Sequence, residues 1–175
     1  MKISARPAFT ALLLLAALGV AGCQRTSPLD TKVVAGTAEA LGNWRSNVGY
    51  HLTTEQWRDF DEAVQELKLQ IMAAHEATGS DAIADAARAK IDQVTVGEVL
   101  RAGWEAKLRR LDAERKELLG AIEQNSRLTV KPGDTESAGY LDRIRRQQAE
   151  HLQRLTQDLA TTGEKLKALG KPGAP

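Results

Sequence analysis

Few side chains in this sequence of 175 residues are suited to chemistry: one cysteine and three histidines. His51, His75 and His151 do not occur in HExxH or another metal-ligand spacing. The adjacent pairs His75-Glu76 and Glu150-His151 would point to different faces of a helix. The sequence also contains no nucleophile elbow and no glycine-rich loop following a strand. We therefore predict no catalytic, cofactor-binding or metal site, and we expect that the protein is not an enzyme.

The cysteine, Cys23, ends the run Val20-Ala21-Gly22-Cys23. Basic Lys2 and Arg6 precede an apolar stretch of about a dozen residues, which is too short to span a hydrocarbon layer that needs about 20. Residues 1–23 resemble the signal of bacterial lipoprotein precursors. The resemblance implies that residues 1–22 are a signal peptide removed by cleavage, that the Cys23 thiol is diacylated, and that the new amino terminus is acylated.

Several acyl chains on one residue hold a protein at a membrane almost permanently, because each buried methylene contributes about 0.8 kcal/mol. Gln24 rather than Asp follows the cysteine. In a Gram-negative host, the resemblance then implies export to the outer membrane, facing the periplasm. An ordinary secretory signal with a chance cysteine, or an N-terminal membrane anchor, is the alternative. We expect a cell-envelope protein anchored at Cys23.

The composition of the remaining chain favours helices. Removing Lys2 and Arg6 with the signal leaves 22 of the 24 basic residues against 23 acidic ones, a net charge of −1. This balance gives no attraction to nucleic acid. With Cys23 acylated, no disulfide forms within the chain. Aromatic residues are 4% of the chain, and helix-forming residues are abundant.

A flexible tether is predicted for residues 23–36, and a small helical module for residues 37–94. Within the module, Thr53 and Gln56 have the spacing of a capping box, and Leu52 and Trp57 that of a hydrophobic staple. We expect the helix that follows to continue to Gly79. Ser80 is then expected to cap a short alanine-rich helix.

A long helical hairpin is predicted for residues 95–169. Thr95 and Glu98 form a second capping box, and two heptad-like series follow, separated by a turn at about 125–137. The series are Leu100, Trp104, Leu108, Leu111, Arg115, Leu118 and Ile122, and Leu141, Ile144, Gln148, Leu152, Leu155, Leu159, Thr162, Leu166 and Leu169. The predicted fold is all-α: a small helical module followed by a long, coiled-coil-like antiparallel hairpin, with a disordered tail at 170–175.

Other noteworthy side chains have structural interpretations. Trp44, Trp57 and Trp104 lie on apolar helix faces and are expected in the core rather than in a binding patch. Asp59, Asp61 and Glu62 are expected on a solvated face. Arg115 and Gln148 interrupt the two apolar series, where they would set the register of the hairpin or mark a partner-facing groove.

Two motifs carry a second resemblance. Leu52-Thr53-x-Glu55-x-x-x-x-Phe60-x-x-Ala63-Val64, followed by Thr95-x-x-Glu98-Val99, resembles a group of short bacterial lipoproteins of unknown function across about residues 37–105. The second motif departs from the group's pattern, because Gln93 and Val94 replace Gly and Lys, and Gly97 replaces Glu. The resemblance implies no activity and no active-site residue.

These features favour a non-catalytic binding or structural module, anchored in the envelope, that engages another envelope protein or a second copy of itself. An inhibitor or immunity protein would be a subtype of this hypothesis. One alternative is a periplasmic carrier of a small hydrophobic ligand or lipid, which would require a cavity lined by Trp57, Phe60 and Trp104. A second alternative is an enzyme, such as an accessory to a cell-wall hydrolase, for which the sequence offers no candidate residues.

Overall fold

The computed structural model describes residues 27–48 and 50–170. Cys23, the signal peptide at 1–22, and residues 171–175 of the expected tail lie outside these residues. The described chain has a short 3-10 helix at Pro28–Asp30 and α-helices α1 Ala38–Val48, α2 Thr54–Ala73, α3 Ser80–Ile91, α4 Val96–Ser126 and α5 Thr135–Ala168. The all-α prediction is confirmed, as is the hairpin, in which α4 packs against α5. Among the described helices, none combines the length and apolar character needed to cross a membrane.

Both predicted capping boxes form. In the first, the Gln56 N–H donates to Thr53 Oγ1 at 3.1 Å, and the Thr53 N–H donates to Gln56 Oε1 at 2.9 Å. In the second, the Glu98 N–H donates to Thr95 Oγ1 at 3.2 Å, and the Thr95 N–H donates to Glu98 Oε2 at 3.0 Å. Each box satisfies two backbone donors that a helix start otherwise leaves free. Local sequence therefore determines where α2 and α4 begin.

The predicted boundary between α2 and α3 is wrong. Helix α2 ends at Ala73 rather than at Gly79, because His75 adopts a left-handed backbone with φ of 54°. The His75 N–H donates to the Met72 carbonyl at 3.1 Å, and the Glu76 N–H donates to the Ile71 carbonyl at 3.1 Å. This is a Schellman motif with histidine at the position that usually holds glycine. Gly79, and not Ser80, is the N-cap of α3.

A His75→Gly variant is expected to raise the free energy of unfolding by about 0.5–1 kcal/mol, since glycine adopts a positive φ without the steric cost of a Cβ. Urea denaturation of the two proteins measures this. Ala74→Gly is the control, because the adjacent C-cap has φ of −81° and gains nothing from glycine. The control should be destabilised by a similar amount. If both variants changed the free energy of unfolding by the same amount, the interpretation that the His75 backbone is strained would be wrong.

One hydrophobic core joins the small module to the base of the hairpin. Trp44 of α1, Phe60 of α2, and Val99 and Trp104 of α4 are all buried in it. Leu166 packs against the same cluster from the end of α5. The expected division between residues 94 and 95 is therefore not a packing boundary: α1, α2, α3 and both ends of the hairpin form a single helical bundle around this core.

The predicted tether is wrong for most of its length. Residues 27–36, which we call the strap, lie along the segment that leads into α4, and Val33 and Ala35 are fully buried. The Val33 N–H donates to the Val94 carbonyl at 2.8 Å, and the Gln93 N–H donates to the Val33 carbonyl at 2.8 Å. Apolar burial and these backbone hydrogen bonds fix the strap to the bundle.

Among the described residues, the hairpin continues beyond the bundle as two helices alone. Every predicted member of the two apolar series is buried or half-buried, as expected of facing helices. The last buried side chain on α4 is Leu111, and the first on α5 is Leu155. We call residues 112–154 the arm. Its two helices shield their apolar series only partly, since the members of the series in the arm are half-buried.

Candidate functional site

The histidines occupy separate places. His51 is exposed in the turn between α1 and α2, and His75 ends α2. On the arm, His151 Nε2 lies 3.1 Å from Glu114 Oε1, so this pair links α5 to α4. Within the described part of the chain, no three His, Cys, Asp or Glu side chains are grouped as a metal site would require. The contacts of His151 are those of a residue that joins two helices.

The tryptophans lie in the core or at its edge, as expected. The ring centroids of Trp44, Trp57 and Phe60 are 5.5–5.9 Å apart, in tilted and edge-to-face arrangements typical of packed aromatic side chains. Trp104 of α4 is buried in the same core cluster as Phe60. Since Phe60 and Trp104 are fully enclosed by neighbouring side chains, they do not line the open cavity that the carrier hypothesis assigned to them.

Of the three acidic residues expected on a solvated face of α2, Asp61 is exposed as predicted, whereas Asp59 and Glu62 are partly buried, which corrects the sequence interpretation for these two. Asp61 accepts two hydrogen bonds from Arg45 of α1, at 2.7 and 2.9 Å. Lys165 Nζ of α5 lies 2.7 Å from Asp59 Oδ1 and 3.7 Å from Glu62 Oε2. Glu62 also pairs with Lys107 of α4. These pairs join α1, α5 and α4 to α2.

Asp59, Glu62, Lys107 and Lys165 form a group that we call the clamp. Its two ammonium groups lie over the Trp104 ring, Lys165 Nζ at 4.5 Å and Lys107 Nζ at 5.7 Å from the centroid. Cation–π attraction adds to the ion pairs at such distances. The clamp covers the edge of the core and fastens the returning end of α5 to the bundle. Asp59 and Lys165, the two most distant members in the sequence, are 106 residues apart.

Glu62 ionises more readily in the clamp than in water. Burial alone would disfavour the charged carboxylate, but the hydrogen bond from Lys107 and the charges of Lys107 and Lys165 outweigh it and lower the pKa of Glu62. A carboxyl whose pKa is lower in the folded chain stabilises the fold above its unfolded pKa. That stabilisation is lost as the pH falls through the folded pKa.

A Glu62→Gln variant is therefore expected to be less stable than the parent at pH 7. The difference is expected to shrink as the pH falls below the ordinary glutamate pKa of about 4.3 and then through the lowered pKa of the folded chain. Urea denaturation at a series of pH values measures the difference. Glu117→Gln, on the exposed side of α4, is the control and should show little change in stability at any pH. A constant difference between parent and Glu62→Gln across this range would show that ionisation of Glu62 does not stabilise the clamp.

A groove of about 410 Å³ lies where the arm leaves the bundle, between the end of α2 and the middle of α4. Leu69, Ala73, Ala106 and Ala113 contribute apolar surface to it. Buried Glu66 accepts two hydrogen bonds from Arg110 at its edge, from Nε at 2.9 Å and from Nη2 at 2.6 Å. The hydrogen bonds that Arg110 donates to Glu66 raise the pKa of its guanidinium despite partial burial. This bidentate pair connects α2 to α4 and gives the groove a polar border.

Three large apolar side chains of the arm are exposed to solvent, as are Val34, Tyr50 and Met72 elsewhere in the described chain. Leu119 of α4, Leu128 in the turn, and Tyr140 of α5 are each about half exposed, with Tyr140 at 58%. Arg145 closes the turn, since its Nη2 donates to the carbonyls of Asn125 at 3.4 Å and Leu128 at 3.3 Å. The arm is thus a closed hairpin with apolar side chains exposed on several sides.

Arg115 and Gln148, the polar members of the two apolar series, were expected to set the register of the hairpin, but no hydrogen bond joins them in the structure. Arg115 donates to Asp112 of its own helix at 2.9 Å, and its buried Nε has no partner in the described residues. Gln148 is half-buried on α5. Within the arm, the polar links between α4 and α5 are His151 with Glu114 and the Arg145 contacts, which sequence reasoning missed. Basic side chains often bind the free carbonyls at the end of a helix, but the sequence did not show that Arg145 would reach the end of α4.

Comparisons of the chain with protein-family models, with curated proteins and with solved structures found no match.

Proposed function

We propose that the protein is a lipid-anchored protein of the bacterial cell envelope, without catalytic activity, whose arm binds another envelope protein. The acyl chains on Cys23 would hold it at the membrane, on the periplasmic face of the outer membrane in a Gram-negative host. The cysteine-containing signal pattern supports the anchor. The geometry of the hairpin supports the binding role.

The observation that carries the binding role is the unpartnered arm. Over residues 112–154 no side chain reaches the burial of the core, although the apolar series of both helices continue through the arm. A helix pair with this pattern gains stability when a further surface covers it. Amphipathic helices commonly bind partners through such apolar faces. Leu119, Leu128 and Tyr140 are the side chains we expect a partner to cover.

The carrier hypothesis has less support. Small hydrophobic ligands are usually held in concave sites that bury most of their surface. Of the aromatic residues assigned to such a cavity, Trp57 and Phe60 pack against each other, and Trp104 is buried in the core cluster. The groove beside Glu66 is large enough for a small molecule, but it is open to solvent and bordered by an ion pair. We therefore favour a protein partner at the arm.

The test is crosslinking of the native lipoprotein in its host membrane, followed by purification and identification of the captured proteins. We expect one specific envelope partner, lost in a Leu119→Lys, Tyr140→Ala double variant of the arm. Tyr50→Ala is the matched control, because Tyr50 is exposed on the small module and should not affect capture. Circular dichroism checks that each variant keeps its helices.

A Cys23→Ser version tests the anchor separately. It is expected to leave the membrane fraction and to lose the partner in cells, while the purified protein still binds that partner in solution. If the protein is crosslinked only to itself, and the arm variant reduces these crosslinks, the partner of the arm is a second copy of the chain rather than another envelope protein. Capture that is unaffected by the arm variant would overturn the role of the arm, and Cys23→Ser protein that stays in the membrane fraction would overturn the anchor.

A further inference from the structure

The strap starts close to the proposed lipid-bearing residue. Gln24, Arg25 and Thr26 are the residues between Cys23 and Ser27, where the described chain begins. Each residue of extended chain spans at most about 3.6 Å, so the Cα atoms of Cys23 and Ser27 are separated by no more than about 14 Å. A tether continuing to Gly36 would have reached about 45 Å. Docking of the strap removes roughly 30 Å of free chain.

Several contacts hold the strap along its length. The Val96 N–H donates to the Thr31 carbonyl at 2.9 Å, and the Ala35 N–H donates to Asp92 Oδ1 at 2.7 Å. Between them, Lys32 pairs with Thr95 as an antiparallel bridge. Because apolar and polar contacts occur at both ends, releasing the strap requires breaking several of them together. The strap is part of the fold rather than a spacer.

The strap also determines which end of the molecule adjoins the anchor. Leu29 lies against Gly97, in the first turn of α4. Arg101, one turn further, donates to the Leu169 carbonyl at the end of α5. We call this end, with the start of α4 and the end of α5, the base. At 1.5 Å per residue, the 31 residues of α4 place the turn of the arm about 46 Å from the base.

We infer that the short linkage holds the base against the lipid surface, with the arm directed away from it. The partner of this surface is the membrane itself, and the arm then reaches a binding partner several tens of ångströms from the lipid. Acidic and basic side chains are equal in number on the arm, so an anionic membrane does not attract it. This inference rests on the lipid attachment proposed above.

The test uses the full-length acylated protein in vesicles of phosphatidylethanolamine and phosphatidylglycerol that contain a lipid with a nitroxide headgroup. Because Cys23 is acylated, a second cysteine is a unique labelling site. Fluorophores are placed by Lys167→Cys at the base and by Arg127→Cys at the far end of α4. The replaced side chains are closely matched, at 75% and 74% exposure, each in an ion pair within its own helix.

We expect strong quenching at position 167 and little at position 127. Equal quenching at both positions would show that the arm lies on the membrane, and stronger quenching at 127 would reverse the orientation. Either result overturns the inference while leaving the anchor in place, provided that the protein floats with the vesicles. Protein that does not float with the vesicles overturns the proposed anchor, and the inference with it.

A further variant tests whether the linkage itself controls the distance. About 12 Gly and Ser residues inserted between Thr26 and Ser27 add a root-mean-square span of about 20 Å. We expect quenching at position 167 to fall several-fold, with flotation unchanged. Quenching that stays the same would mean that the base adheres to lipid by its own surface, and the short linkage would then be rejected as the cause.

Discussion

A Gly103→Ala variant is expected to lose about 2 kcal/mol of unfolding free energy. A Cβ at position 103 would lie 2.4 Å from both Cα and Cβ of Ala63 and 2.7 Å from its carbonyl oxygen. These are mainly backbone atoms, so no rotation of a side chain relieves the overlap, and α2 and α4 must move apart. Such overpacking typically costs about 1–3 kcal/mol, and we expect a value near the upper limit because backbone atoms overlap. The better helix propensity of alanine returns only about 1 kcal/mol of this.

Gly120→Ala is the matched control for this variant. Gly120 lies in the same helix, and a Cβ added there meets no atom within 4 Å. It should gain about 0.5–1 kcal/mol from helix propensity alone. Chemical denaturation followed by circular dichroism measures both variants. If both gained stability, the close crossing of α2 and α4 at Ala63 would be contradicted.

The second large effect is expected from Val33→Asp, which should lower the free energy of unfolding by at least about 2 kcal/mol. Val33 is fully buried, and its burial contributes about 1.5–3 kcal/mol. A carboxylate without a partner does not remain in that environment, so the strap is expected to detach and the strap hydrogen bonds to be lost. Hydrogen exchange should show loss of protection at the amides of residues 33 and 96.

The neighbouring residue supplies the control. Val34 is 42% exposed, so Val34→Asp should change stability by no more than about 0.5 kcal/mol and leave the protection of both amides intact. Equal protection in the Val33→Asp and Val34→Asp proteins would mean that the strap does not depend on the buried side chain. The strap would then be rejected as a fixed part of the fold.

These two sites matter for the proposed function in different ways. Gly103 allows α4 to approach α2 closely enough to form the core that supports the arm. Val33 fixes the strap, which determines how much free chain separates Cys23 from the bundle. A detached strap would lengthen that separation without changing the arm. The Val33→Asp protein is therefore expected to stay bound to membranes through Cys23 while the distance from lipid to base increases.

Much of the fold followed from local sequence. The capping boxes at Thr53 and Thr95 mark the starts of α2 and α4, because the side chains that satisfy the free N–H groups are only three residues away. The two apolar series predicted which faces of α4 and α5 meet, since the helical period places their members on one side. For the candidate site, the same series predicted the helical hairpin to which the arm belongs.

The rest depended on tertiary structure. The extended strap segment has no periodic pattern of its own, and it is fixed only by contacts with residues about 60 positions away. His75 ends α2 because the chain must turn there, despite the cost of a positive φ. The clamp brings Lys165 to Asp59 across most of the described chain.

The sequence by itself thus determined the helices, the hairpin and the pattern on which the proposed anchor rests, because short-range hydrogen bonds and helical periodicity can be deduced from neighbouring residues. Only the tertiary structure decided that the small module and the base share one core, that the strap is docked, and that the arm extends beyond the bundle as two helices among the described residues. These features depend on which distant surfaces pack together, and burial between distant segments leaves no local pattern from which the pairing can be deduced.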